Sequence, residues 1–161
     1  MINQCREYLK GKLTAAGIKE KIITVQKDLN NNNEQHVGAV LLQKENIEKA
    51  GTFKRGTING VNIKRTKKFN RSVTFVVVIG EYSFENCEKI YSKFLEIIDD
   101  GINIDENYTK IEIDSDVDWV DKEDSILKSE IAVQILITFD GGVYKDTGFK
   151  QVDVNIDLEG Q

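Results

Sequence analysis

Apolar residues return every three or four positions at the start of the chain. Ile2, Cys5, Leu9 and Leu13 share one helical face, and Gly17 can take the left-handed conformation that closes a helix. The spacing predicts a helix over residues 2–15. From Lys21 the period shortens to two, with Ile23, Val25 and Lys27 on one side, and a second extended run, VGAVLLQK, begins at Val37. Two antiparallel strands are expected there, joined by a surface loop through Asn30 to Gln35, whose four consecutive asparagines suit turn geometry and cannot pack a core.

In TFKRGTI-NG-VNIKRTK the Asn59-Gly60 pair is the strongest short-range signal for a two-residue hairpin turn, because both turn residues must accept positive φ. Such a turn fixes the register: residue 58 faces 61, Arg55 faces Lys64 and Lys54 faces Arg65. Like charges opposite one another repel, and the basic residues occupy both faces of the ribbon, so neither face of its base-proximal half is expected to be buried. The hairpin, about residues 52–69, is predicted to project from the body. VTFVVVI (Val73 to Ile79) then reads as a strand covered on both faces.

Ser83 can cap a helix in which Cys87, Ile90, Tyr91, Phe94, Leu95 and Ile98 form an apolar stripe, with Gly101 as its end. The last third alternates. Ile111, Ile113, Val117 and Trp119 point one way, and Glu112, Asp114, Asp116 and Asp118 the other. After a turn through Asp121 to Asp124, Leu127, Ile131, Val133, Ile135, Ile137 and Phe139 make an inward face. Asp140-Gly141-Gly142 is expected to turn, and Val152, Val154, Ile156 and Leu158 to form a closing strand. Trp119 and Phe139 are expected in the core. The order α-β-β-β-β-α-β-β-β predicts a single α+β domain over 1–161, with a largely antiparallel sheet and two helices packed on it.

Composition narrows the chemistry. At this length roughly 68–70% of the unfolded surface is buried on folding, enough to need neither metal nor disulfide. Cys5 and Cys87 fall on apolar helical positions, which favours buried thiols in a reducing compartment. One histidine excludes zinc sites of the Cys/His type. The first dozen residues lack the apolar core of a signal peptide, and the longest apolar runs fall far short of the roughly 20 residues of a membrane helix, so neither export nor insertion is expected.

Asp114, Asp116 and Asp118 match the opening of a calcium loop, D-x-D-x-D. Trp119 stands where that loop needs glycine, however, and Ser125 where it needs a bidentate glutamate. A solvated strand face accounts for every one of these carboxylates. His36 has no serine or cysteine motif nearby, and no nucleophile elbow, P-loop or dinucleotide fingerprint occurs. No catalytic residue, metal site or cofactor is expected, and the chain reads as a non-enzyme.

Charge is segregated. Lys44 to Arg71 holds nine basic and two acidic residues, a local +7, whereas Glu96 to Asp124 holds twelve acidic and two basic, a local −10. The repelling pairs of the hairpin would be relieved by an anionic surface, and a second copy of the chain carries one. Basic patch on acidic patch is a heterologous contact, which closes into a ring where the rotation permits. The candidate interface residues are Lys54, Arg55, Lys64, Arg65, Lys67 and Lys68 on one side and Asp114, Asp116 and Asp118 on the other.

The N-terminal helix MINQCREYLKGKLTAAGIK, two strands, a basic hairpin, a strand entering the helix YSFENCEKIYSKFLEII, a long β-hairpin and a closing strand together resemble the tail terminators and tail-completion proteins of long-tailed phages and contractile particles. The resemblance implies a structural protein that forms a ring, a homohexamer, capping the tail tube and docking a head or sheath component. Its implied partners are itself, tail-tube protein and sheath or head-completion proteins, with DNA contact in the lumen left open and no membrane. It also implies assembly in the bacterial cytoplasm and then residence in the particle. The alternative is a nucleic-acid-binding accessory domain using the basic hairpin on phosphates, against which a net charge of −5 counts. A third reading, a metal-dependent hydrolase, has only the aspartate face in its favour.

Overall fold

A computed structural model describes residues 1–58, 60–124 and 127–148 of the chain. The first helix, α1 (Ile2–Ala16), buries Cys5, Leu9 and Leu13. Gly17, at φ 129°, ends it, its N–H donating to the Leu13 and Thr14 carbonyls. The strand expected from Lys21 does not form. Ile23 makes a single parallel bridge to Ala39, and a short helix, α2 (Gln26–Asn30), follows. Ile22 packs into the apolar cluster beneath α1, whereas Ile23 packs against a second cluster that also holds Leu29, so the two face opposite sides as strand neighbours do. The ladder nevertheless stops at the two backbone bonds Ile23 makes with Gly38 and Val40, because the chain turns into α2 at Gln26 and buries Leu29 there.

The remaining elements are β1 (Val37–Lys49), β2 (Phe53–Ile58), β3 (Val61–Glu81), α3 (Phe84–Ile97), β4 (Gly101–Ile104), β5 (Asn107–Asp121) and β6 (Ile131–Gly148). The fold is α+β: six strands make one sheet in the order β1-β3-β6-β5-β4, with β2 also on β3, and every named strand pair is antiparallel. β1 and β2 lie end to end along one edge of β3. The other edge of β3 is paired with β6 from Ile63 opposite Gly148 to Glu81 opposite Ile131.

The turn expected at Asp140-Gly141-Gly142 is absent, because β6 runs straight through it. The glycines serve close approach instead. A β-carbon on Gly141 would stand 2.9 Å from Thr109 Oγ1, and one on Gly142 would stand 2.3 Å from Lys67 Cε and 3.0 Å from the Phe69 carbonyl. The closing strand expected through Val152, Val154, Ile156 and Leu158 lies outside the described residues. Conversely, β4 was not expected. It pairs with β5 across Asp105 and Glu106, whose φ values of 49° and 63° make a tight turn with no glycine to announce it. Gly101 begins this strand, while α3 has already ended at Ile97 with Ile98 extended.

The helices α1 and α3 cover one face of the sheet over Val73, Phe75, Val77, Ile79, Val133, Ile135, Ile137 and Phe139. Phe139 is fully buried, edge-on to Phe75 and Tyr8. Ser83 caps α3 by accepting the Asn86 N–H, and Cys87 and Phe94 are its buried anchors. The opposite face carries a smaller cluster of Leu29, Val37, Ala39, Leu41, Val78, Leu127 and Ala132. Leu127, expected beside Ile131 and Val133, therefore belongs to the other side. Cys5 and Cys87 are free and buried, and burial pushes both thiols up to about 11.

Candidate functional site

The basic hairpin has the register its turn demands: Lys54 opposite Arg65, Arg55 opposite Lys64 and Phe53 opposite Thr66. It does not stand alone. Past Asp140 the sheet loses β5 but keeps β6, so β2, β3 and β6 continue together as a three-stranded arm. No described side chain from Leu42 to Ser72 is buried. The arm is held by its ladder and by surface contacts, not by a core.

Chief among these contacts is Arg65. Its guanidinium donates to both carboxylate oxygens of Asp146 at 2.8 and 2.7 Å, and reaches Glu106 and Asn107 of the β4–β5 turn at 3.4 Å. The hydrogen bonds to Asp146, then the charges of Asp146 and Glu106, hold Arg65 firmly protonated. The same bonds pull the Asp146 carboxyl below its usual range. A cleft of about 370 Å³ opens beside this brace, lined in part by Arg65, Arg71, Ile104, Asn107 and Tyr144. The repulsion between Lys54 and Arg65 is thus offset within the chain, where the charge pattern suggested a partner would be needed. Arg71 is likewise engaged, by Glu45 at 2.5 Å.

The other cations of the arm are differently placed. Lys64 lies over the Phe53 ring, 4.3 Å from its centroid, and Lys67 lies 5.9 Å from that of Tyr144. Lys68 is exposed at an irregularity where β3 slips register against β6 between Lys67 and Phe69. Among the described residues, no carboxylate pairs with Lys54, Lys64, Lys67 or Lys68.

The acidic residues sit across the sheet on β5. Strict alternation is broken there: Ile113 faces Ile137 and Val117 faces Ile135, so four residue steps on β5 match two on β6. The excess is a bulge through Asp114, Ser115 and Asp116, in which Asp114 accepts the Asp116 N–H at 3.1 Å. Asp114, Asp116 and Asp118 are exposed, and no described cation pairs with them. Among the described residues no three His, Cys, Asp or Glu side chains come together as a metal site. Among the described residues β4 pairs with β5 only from Asn107 to Lys110, so there the bulge lies on an unpaired sheet edge, which charge and irregularity both guard against strand addition.

Trp119, expected in the core, is 37% exposed. It shares the helix side of β5 with Ile111, and past the bulge its ring neighbours are Phe84 and Tyr91 of α3. Phe84 lies 5.1 Å from it, tilted by 35°, and Tyr91 stands edge-on at 5.6 Å. The alternating pattern placed Trp119 on the right face without showing that the cover ends there.

His36 also has a defined place. Its Nε2 accepts the Lys19 N–H at 3.0 Å and its Nδ1 faces the buried carboxylate of Glu81 at the end of β3. Both ring nitrogens are thereby committed to neighbours, tying the segment after α1 to the sheet. A groove of about 640 Å³ runs beside this pair, bordered by Lys19, Lys89 and Lys93. Glu81 was invisible as a partner because it closes an apolar run far from His36 in sequence.

No described helix is long and apolar enough to cross a membrane. No known protein family matches the chain, and no curated protein matches it either.

Proposed function

We propose that the chain is a non-enzymatic assembly subunit of the kind the tail terminators and tail-completion proteins represent, associating with copies of itself in a head-to-tail ring that caps a tail tube and offers a docking face to a head or sheath component. The observation that carries this reading is the polarity of the sheet. In the lateral order β2-β3-β6-β5, one end is a basic arm whose Lys54, Lys64, Lys67 and Lys68 have no carboxylate partner among the described residues. The other is an acidic edge whose Asp114, Asp116 and Asp118 have no cation partner among the described residues. Charges that a single chain leaves unmatched at opposite ends are matched when the end of one copy meets the start of the next.

Native mass spectrometry across concentration and salt tests the proposal. The wild type should form a closed oligomer, six copies by the resemblance, that weakens as salt rises, since exposed charges are screened over roughly 8–10 Å at ordinary ionic strength. Replacing Lys54 and Lys64 together by Glu should abolish the oligomer while leaving the thermal midpoint of the monomer in place. A wild type that stays monomeric throughout refutes the reading. An oligomer indifferent to the double substitution refutes the electrostatic basis given for it. Loss of DNA binding in the variant, with assembly intact, would transfer the arm to the nucleic-acid alternative.

A further inference from the structure

We infer that the aromatic shelf of Phe84, Tyr91 and Trp119 is the seat for one particular face of the arm of a second copy, the face bearing Phe53 and Lys64. This rests on the assembly reading and adds to it the apolar centre of the contact and the side of the arm that makes it.

Opposed residues of an antiparallel pair share a face, and neighbours along a strand alternate. The register therefore sorts the arm into two sides: Phe53, Arg55, Thr57, Asn62, Lys64 and Thr66 on one, Lys54, Gly56, Val61, Ile63 and Arg65 on the other. The second side is the one whose Arg65 is spent on Asp146 and Glu106. The first side shows an aromatic ring, Phe53, 52% exposed, with the Lys64 ammonium against it.

The shelf is its counterpart. Phe84 is 56% exposed beside Trp119, and Trp119 packs against Phe84 in a tilted contact and against Tyr91 edge-on, which limits the side-chain freedom left to lose on docking. Asp121, two residues on, shares the Trp119 side of β5, whereas Asp118 faces the other side, and Glu85 follows Phe84 on α3. An exposed apolar group beside a cation on the arm thus meets exposed apolar groups on the shelf with the carboxylates of Asp121 and Glu85 beside them. That is the anatomy of a protein contact, with an aromatic centre and a charged border. Asp121 and Glu85 beside the rings select against an acidic or nucleic-acid occupant, and the chain itself carries the matching basic aromatic surface.

Trp119 is the one tryptophan of the chain, so its fluorescence reports on the seat directly. On assembly of the full chain, its emission should move to shorter wavelength and its quenching by acrylamide should fall. Phe53→Ser should raise the concentration needed for assembly by roughly tenfold or more, the scale of a buried aromatic anchor. Lys54→Glu, on the other face, should shift it far less than Lys64→Glu. Phe53 and both lysines lie outside the core, so equal melting of the variants accompanies these results. Oligomers whose Trp119 emission and quenching match the monomer's, or equal effects of Lys54→Glu and Lys64→Glu, would overturn the seat while leaving ring assembly standing. Absence of any oligomer would instead overturn the assembly reading itself.

Discussion

The two halves of β3 share a partner strand, with one register slip between Lys67 and Phe69, yet different forces hold them. From Val73 to Glu81 the strand lies between two apolar clusters, and each buried Val, Ile or Phe contributes about 1.5–3 kcal/mol by leaving water. From Val61 to Ser72 no described side chain is buried, and the strand is kept by backbone bonds, the Arg65–Asp146 pair and the contacts of Lys64 and Arg71. A core is therefore not needed along the whole of a strand. It anchors one end, and the ladder carries order outward to a surface free to be charged.

The contrast breaks most visibly at Phe94. Phe94→Ala removes a fully buried ring from the centre of α3 and should lower stability by about 3–5 kcal/mol in denaturant titration, taking the arm with it. An unchanged midpoint would mean that α3 does not anchor the sheet. Gly80→Ala should act in the same half by overpacking, since its β-carbon would stand 2.3 Å from Ser129 Oγ and 2.7 Å from Val37 Cγ1. A loss of about 1–3 kcal/mol is expected. Full stability in this variant would show that the 127–130 segment moves aside freely.

The buried thiols sharpen the comparison through pH. Cys5 and Cys87 hold their protons more tightly in the fold than in the unfolded chain, so their contribution is complete below about pH 9 and is lost as pH rises through about 11. Stability should fall across that window, and thiol labelling of the native protein at neutral pH should be much slower than in denaturant. Labelling at the unfolded rate would deny their burial. The smallest effect belongs to the arm. Arg65→Ala should leave the global midpoint within error while amide exchange speeds up at residues 143–147, because only the brace is lost. Acid should mimic it in the wild type. The Asp146 carboxyl is held below its usual range, so the brace persists through that range and fails as pH falls through the lowered value. A fall in the global midpoint as large as that of Phe94→Ala would erase the distinction between the halves.

What the sequence made legible follows the same division. Local signals with one geometric solution were readable: the stripe of α3, the Ser83 cap and the Asn59-Gly60 register down to Lys54 opposite Arg65. Signals with two solutions misled. Gly141-Gly142 suits a turn or a crowded strand equally, and only the side chains of Thr109 and Lys67, distant in sequence, decide between them. Ile23 and Val25 alternate like a strand, but that the ladder stops at the Ile23–Ala39 bridge while α2 turns to bury Leu29 is a tertiary fact. For the candidate surface, charge segregation could be counted along the chain. That Arg65 is spent internally, and that Trp119 emerges beside Phe84, depends on pairings across the sheet.

The 21 residues of β3 span roughly 70 Å at about 3.3 Å per residue. Its ladder bonds to β6 run across the strand direction. A pull on the arm tip along its length would load these bonds in shear, all at once, where a pull across the sheet would open them one after another. A subunit gripped by its arm is thus mechanically strongest along the strand axis, and a tug there is felt beneath both helices before any single bond yields.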